Sequence, residues 1–153
     1  MALQPLVLHP DPLLAEVSEP VALFDGSLRS LIGDMFETMY AAPGRGLAAV
    51  QVGVLARVFV MDATWKEGEK SPLVFINPVM VDHGLELEVR EEGCLSIPDV
   101  PRRVARPSEV VLRWQDVTAA VHEQRFTGFE AACVQHELDH LDGRTILDHP
   151  EAP

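Results

Sequence analysis

The sequence predicts an α+β fold, in which a long N-terminal helix and a C-terminal metal-binding helix flank a mainly antiparallel β-sheet. Two observations predict this order. Apolar residues recur at helical spacing near residues 25–42 and again before residue 143, whereas the runs between them are short, alternating or β-branched. The 153 residues contain no repeat, low-complexity segment or linker, so we expect one domain over residues 1–153.

The first helix is predicted to begin after Asp25 or Ser27, either of which can cap it, and to end at Pro43-Gly44. Its apolar residues, several of them methionines, follow the helical period and are interpreted as core packing rather than as ligands. They are Leu28, Leu31, Ile32, Met35, Phe36 and Met39.

The middle of the chain is predicted to form strands. Gly, Pro and Asp separate these runs, and the polar segment 64–71 is interpreted as a loop between two of them. The predicted strands are 55–61, 73–82, 85–90, 109–115 and 119–126, with a further short extended piece at 104–107.

Composition excludes several classes of protein. With 47% hydrophobic residues, the chain can bury a core that needs no disulfides. The net charge of −12 disfavours direct binding to nucleic acid or anionic lipid. Two cysteines without framework spacing indicate a reducing compartment, and we find neither a targeting segment nor an apolar run long enough to span a membrane. We therefore expect a cytoplasmic protein.

The segment Gln135–Gly143 contains the most informative motif, His-Glu-x-x-His. His136 and His140 lie four residues apart, which places both imidazoles on one face of a helix, within reach of one metal ion. Glu137 follows the first ligand, where a carboxylate can take a proton from a water that the metal activates. A chance match on a solvated helix is the alternative, but the small residues that precede the motif favour a buried helix.

A catalytic site of this kind usually has three protein ligands, so a third must come from elsewhere. His149 stands too far along the chain to match the usual downstream spacing. Cys133 shares the helical face, but it lies roughly 10 Å along the axis from His140, too far for one ion to bind both. Cys94 follows a strand-like run in a turn of its own. The sequence alone leaves two equal interpretations of Cys94, a ligand or a buried thiol.

The glycine-rich segment Gly44–Gly53 lies between the first helix and the strands. No helical pattern follows it, so we reject a phosphate-binding loop and expect close backbone approach to a ligand or strand. Gln51 within this apolar run needs a partner if it is buried; taken alone, it favours an edge strand facing solvent.

Three motifs stand in one order: Gly-x-Gly-Leu-Ala-Ala-x-Gln at 44–51, Glu-Gly-Cys-Leu-Ser-Ile-Pro at 92–98, and Gln-His-Glu-x-Asp-His-Leu-x-Gly at 135–143. Together they resemble peptide deformylase, the family of enzymes that remove the N-formyl group from nascent bacterial polypeptides. The resemblance covers nearly the whole chain and includes His9-Pro10-Asp11-Pro12.

The resemblance implies roles for the residues in these motifs. Cys94, His136 and His140 are the implied metal ligands, and Glu137 is the implied general base and acid. The Gln51 amide and the Leu95 backbone N–H are implied to stabilise charge on the formyl oxygen. The residues implied to contact the substrate, by its methionine or its backbone, are Gly44, Arg45, Gly46, Phe129, Ala132 and Cys133.

The implied cofactor is one divalent ion, natively Fe²⁺, for which Zn²⁺, Ni²⁺ or Co²⁺ can substitute. The implied partners are N-formyl-methionyl nascent peptides. Many members continue into a basic helical tail that contacts the ribosome, whereas this chain ends in an acidic, proline-bearing segment, so recruitment through such a tail is not expected.

Arg45 departs from the family, in which this position is usually aliphatic. Because it borders the implied substrate site, we expect Arg45 to narrow the pocket mouth or to recruit an acidic group. One alternative function rests on Arg45, an amidase with a different N-acyl preference. A second, independent of Arg45, is a non-catalytic module that binds peptide N-termini. Glu137, Gln51 and Cys94 are all present, which argues against the second.

Overall fold

A computed structural model of the protein describes residues 2–153. Within this range two α-helices flank seven strands, and short 3₁₀ helices cover 12–15, 49–52, 65–67 and 146–148. The longer elements are α1 (Gly26–Ala41), β1 (Gly46–Ala48), β2 (Val58–Met61), β3 (Leu73–His83), β4 (Leu87–Cys94), β5 (Ile97–Pro107), β6 (Glu109–Gln115), β7 (Val121–Thr127) and α2 (Gly128–Leu141).

The strands form two antiparallel sheets. Five of them pair in the order β1-β2-β3-β6-β7, so β1 lies at one edge and has a single partner. β4 and β5 pair only with each other and form a separate hairpin. This hairpin shares no strand ladder with the larger sheet. Side-chain contacts hold it in place, together with single backbone hydrogen bonds from the His9 N–H to the Ser96 carbonyl and from the Ala152 N–H to the Arg103 carbonyl.

The two helices pack on opposite faces of the five-stranded sheet. All four residues of β2 are buried, and since side chains alternate along a strand, they serve two cores. Phe59 and Met61 pack in a cluster with Val134 and Leu138 of α2. Val58 and Val60 pack in the other cluster, with the α1 side chains that include Met35 and Met39.

The predicted α+β class is confirmed, and α1 begins where the sequence indicates. The Asp25 side chain accepts a hydrogen bond from the Leu28 N–H at 3.1 Å, which satisfies one of the free amides of the first turn. The methionines of α1 are core residues, as expected.

The strand predictions need two corrections. β1 was not predicted, because three residues are too few to show an alternating pattern, and the 3₁₀ helix that follows it was also unexpected. The piece predicted at 85–90 overlaps β4, which begins two residues later and runs on to Cys94, and the piece at 104–107 is the end of the longer strand β5. Pro98 and Pro101 obscured β5, and proline is tolerated there because both strands of a two-stranded hairpin are edges.

Within residues 2–153, no helix combines the length with the apolar character that crossing a membrane requires.

The C-terminal end of α2 depends on Gly143. This residue has φ of 74°, and a Cβ added to it would lie 2.5 Å from the Ala15 carbonyl oxygen. Gly53 has a similar φ of 87° but open space at its Cβ position.

We predict that Gly53→Ala lowers the free energy of unfolding by about 1–2 kcal/mol, the cost of a left-handed alanine. Gly143→Ala should cost a further 1–3 kcal/mol or so, because backbone atoms must also move. Urea unfolding of the two variants measures the difference. Equal losses would show that the contact with Ala15 does not constrain the chain.

Candidate metal centre and substrate cleft

Two separate elements bring three metal-ligating side chains together. The face of α2 that looks toward the hairpin presents His136 and His140, and Cys94 ends β4. Cys94 Sγ lies 3.4 Å from His140 Nε2, and the ligand atoms of all three residues lie within 4.8 Å of one another. The sequence left the role of Cys94 open, and the structure places its thiol with the two imidazoles.

This donor set suits one divalent ion. Bonds of about 2.0–2.3 Å from a common centre match thiol and imidazole groups at such separations. Burial lowers the pKa of His140 to about 3, with His136 and Arg106 acting in the same direction, so this imidazole is neutral and can offer a lone pair. Among residues 2–153, no fourth Cys, His, Asp or Glu joins the cluster. A four-coordinate ion held by these three residues would keep one position for water or substrate.

A buried network of charges supports His136. Its Nδ1 pairs with Glu92 Oε1 at 3.0 Å, which leaves Nε2 for the metal. Arg106, 5% exposed, donates to both oxygens of Glu92 at 2.7 and 2.9 Å, and to Asp139 Oδ2 at 2.9 Å. Asp139 also pairs with His149 Nε2 at 2.7 Å. Burial acts to raise the pKa of Glu92, but the hydrogen bonds with His136 and Arg106 outweigh it and lower the pKa to about 2.

Glu137 lies beside the ligands and is 4% exposed. Burial raises its pKa to about 7, and its Oε1 has no hydrogen-bond partner among residues 2–153. The carboxylate lies against β1, where a Cβ on Gly46 would come within 2.6 Å of Oε2. A glycine at position 46 therefore leaves the space that the Glu137 side chain occupies.

Gln51 is buried in the 3₁₀ helix that follows β1, so the solvent-facing interpretation of this residue is wrong. Its Oε1 accepts from the Ala48 N–H at 2.9 Å, which fixes the orientation of the amide. Its Nε2 then points to Ser96 Oγ at 3.0 Å and to Cys94 Sγ at 3.7 Å. The amide N–H group therefore lies next to the Cys94 thiol.

The predicted substrate residues line a cleft of about 680 Å³ beside the metal ligands. One wall comes from the edge of the sheet, at Gly44, Arg45 and Gly46, and the other from the β4–β5 turn, where Leu95 is half-buried. The floor is formed by α2, and its contributing side chains are Phe129, Ala132, Cys133, His136 and Glu137.

Arg45 recruits an acidic group, but one from its own chain. Its guanidinium pairs with Glu67 at 2.7 Å and lies 5.2 Å from the centre of the Phe129 ring. Arg45 therefore covers one end of the cleft floor, and Glu67 neutralises its charge.

Sequence reasoning missed Glu92, Ser96 and Arg106 as parts of the site. Glu92 and Arg106 stand in charged, alternating strands that look solvent-exposed in the sequence, and only the packing of the hairpin against α2 buries them. Asp139 also belongs to this supporting network, through its hydrogen bonds with Arg106 and His149.

Fold and site together define a candidate mononuclear metal centre with a buried carboxylate at the bottom of a cleft. The sequence profile of the polypeptide deformylase family matches residues 3–152. Peptide deformylase of Zymomonas mobilis is 49% identical over 153 residues, which cover 97% of this chain and 86% of that protein. Peptide deformylase of Novosphingobium aromaticivorans is 45% identical, with 97% and 89% covered.

Solved structures agree with the sequence relatives. Peptide deformylase from Thermotoga maritima superposes with a TM-score of 0.93 at 37% identity, and the match covers 100% of both chains. The structure of the Ehrlichia chaffeensis enzyme in complex with actinonin has a TM-score of 0.93 at 39% identity, covering 99% of this chain and 90% of that one. The chain belongs to the polypeptide deformylase family, which is a family of hydrolases. The alternatives of a different acyl preference or a binding module are not favoured.

We predict that Arg106→Met weakens zinc binding by about 10- to 100-fold, because Glu92 loses the partner that holds it against His136. Arg113→Met is the matched control, since Arg113 pairs with Glu123 on the exposed surface. Zinc competition with a chromophoric chelator gives both affinities. Unchanged affinity in the Arg106 variant would contradict the supporting role of the network.

Proposed function

We propose that this protein hydrolyses the N-formyl group of N-formyl-methionyl nascent peptides, releasing formate and a free amino terminus. One observation carries the proposal: a buried carboxylate, Glu137, lies beside three convergent metal ligands at the bottom of a cleft that an edge strand borders. Membership of the family supports the same reaction.

Cys94, His136 and His140 would hold the ion, for which we propose Fe²⁺ as the native metal and Zn²⁺, Ni²⁺ or Co²⁺ as substitutes. When bound, the ion supplies Lewis acidity, which polarises the formyl carbonyl and makes a water molecule more acidic. The cluster leaves one position open for that chemistry.

Glu137 is the proposed general base and acid. Its unpartnered Oε1 can accept the proton of the attacking water, and burial raises the pKa of this carboxyl to about 7, close to the value that suits proton transfer in both directions. The same group then returns the proton to the departing nitrogen, so that the C–N bond breaks with a neutral amine, rather than its anion, as the leaving group.

Gln51 and Leu95 are the proposed stabilisers of the negative charge that develops on the formyl oxygen. Because the Gln51 carbonyl accepts from Ala48, its Nε2 is held toward the thiol of Cys94 and can donate to an oxygen beside the metal site. The Leu95 backbone N–H belongs to the turn that follows Cys94.

The substrate is proposed to lie as an extended chain along the cleft. β1 has a single strand partner, so its free edge can pair with a peptide that lies against Gly44–Gly46. The methionine side chain would enter the apolar floor lined by Phe129, Ala132 and Cys133. Arg45 over Phe129 would close one end of that pocket.

We further propose that the protein acts in the cytoplasm on peptides emerging from the ribosome, without direct contact with nucleic acid or membrane. The net charge of −12 supports this view, since such a surface repels RNA and anionic lipid.

Glu137→Gln is predicted to reduce formate release from formyl-Met-Ala-Ser by at least about 100-fold, because the amide cannot shuttle a proton. Metal content should remain that of wild type, since the three ligands are intact. Glu130→Gln, an exposed position of the same helix, is the control and should retain activity.

Iron-loaded protein purified without oxygen is the material for this assay. Full activity in the Glu137 variant would contradict the assigned role, and a fully metallated wild type without turnover would contradict the proposed reaction.

A further inference from the structure

Lysine is distributed unevenly in this chain. The sequence has only two lysines, Lys66 and Lys70, against 24 acidic residues, and both stand in the segment 64–71 beside the cleft. Lys66 is exposed and lines the cleft, and its Nζ lies 5.8 Å from the centre of the Trp65 ring. Lys70 is not among the residues that line the cleft and lies over Tyr40 at 4.5 Å.

Among the residues that the structure describes, Lys66 is the Lys or Arg side chain of the cleft that has no carboxylate partner. The other two cations that line it are already paired, Arg45 with Glu67 at 2.7 Å and Arg90 with Glu88. Among residues 2–153, no carboxylate forms an ion pair with Lys66. Its charge is therefore available to a ligand in the cleft.

The segment that carries Lys66 is tied to the edge of the sheet where the peptide is proposed to lie. Trp65 Nε1 donates to the Gly44 carbonyl oxygen at 2.9 Å, and the Trp65 ring meets Tyr40 edge to face at 5.2 Å. A side-chain hydrogen bond from Thr64 to the Glu69 carbonyl at 2.6 Å closes the loop. The backbone at Lys66 is consequently held beside Gly44 rather than being free to swing away.

The hairpin side of the cleft carries the opposite charge. Glu91 and Asp99 are exposed there and line the same cleft, and neither forms an ion pair within residues 2–153. Because side chains alternate along an extended peptide, successive residues of a substrate face different walls. The charge that the cleft prefers should therefore depend on the position in the peptide.

We propose that Lys66 is a specificity-determining residue, which selects an acidic side chain at the second or third position of the formyl-methionyl peptide. This inference rests on the proposed function and names the substrate class more narrowly. An exposed ion pair contributes little free energy, so we expect kcat/KM for the glutamate peptide to exceed that for the lysine peptide by about two- to fivefold at low salt. The preference should fade at high salt, since both charges are solvated.

The experiment compares glutamate and lysine at each of the two positions in formyl-Met-Xaa-Ala-Ser and formyl-Met-Ala-Xaa-Ser. For each protein, the ratio of kcat/KM for the glutamate peptide over the lysine peptide is measured at low ionic strength and again in high salt. Lys66→Glu is the test variant and Lys70→Glu the matched control, because both change the net charge equally within one loop. A parallel titration follows peptide binding to the same three proteins with Glu137→Gln added, because this change slows turnover enough for binding to be measured.

Wild type and Lys70→Glu should prefer glutamate at one of the two positions, and Lys66→Glu should reverse that ratio in both assays. The same ratio in Lys66→Glu as in wild type, or equal reversals by the two substitutions, would overturn the proposal. Turnover of neutral formyl-Met-Ala-Ser by wild type tests the proposed function separately. The binding titration reports the charge preference whether or not hydrolysis occurs.

Discussion

The candidate site depends on one buried arginine and the two ion pairs that it forms. Arg106 of the β4–β5 hairpin bonds Glu92 of the same hairpin and Asp139 of α2, so it joins two elements that share no backbone ladder. Removing one partner of such a buried pair leaves uncompensated charge, which is far more costly than losing a surface pair. These two ion pairs hold the hairpin against α2, where Cys94 lies beside His140 and Glu92 is positioned to orient His136.

The sheet supplies the second half of the site. β1 ends the five-stranded order, and its free edge lies beside the helix that carries the ligands, so a cleft forms between the edge, the hairpin and α2. Gly46 leaves the space for the Glu137 side chain. A carboxylate buried there has a raised pKa and an unpartnered oxygen, which are the properties that a proton carrier needs. Fold, cleft and family membership therefore support one reaction, hydrolysis of an N-formyl group.

Much of this arrangement could be predicted from the sequence, and the exceptions have physical reasons. Helical period and a capping aspartate located α1, and the spacing of His136 and His140 indicated a shared face of α2. Nothing local to Cys94 decides between a ligand and a core thiol, because the decision depends on a hairpin that docks from elsewhere. Arg106 likewise looks like a surface arginine until packing buries it. The surroundings of Cys94 and Arg106 are set by contacts between residues far apart in the sequence, which local sequence patterns do not reveal.

The central claim is that Cys94 and two histidines of α2 bind one metal ion. X-ray absorption spectroscopy of the zinc-loaded protein tests it most directly. The account predicts one sulfur at about 2.3 Å and imidazole nitrogens at about 2.0–2.1 Å. The sulfur signal should disappear in Cys94→Ser and persist in Cys133→Ser. A sulfur signal that survives Cys94→Ser, or one that requires Cys133, would contradict the account.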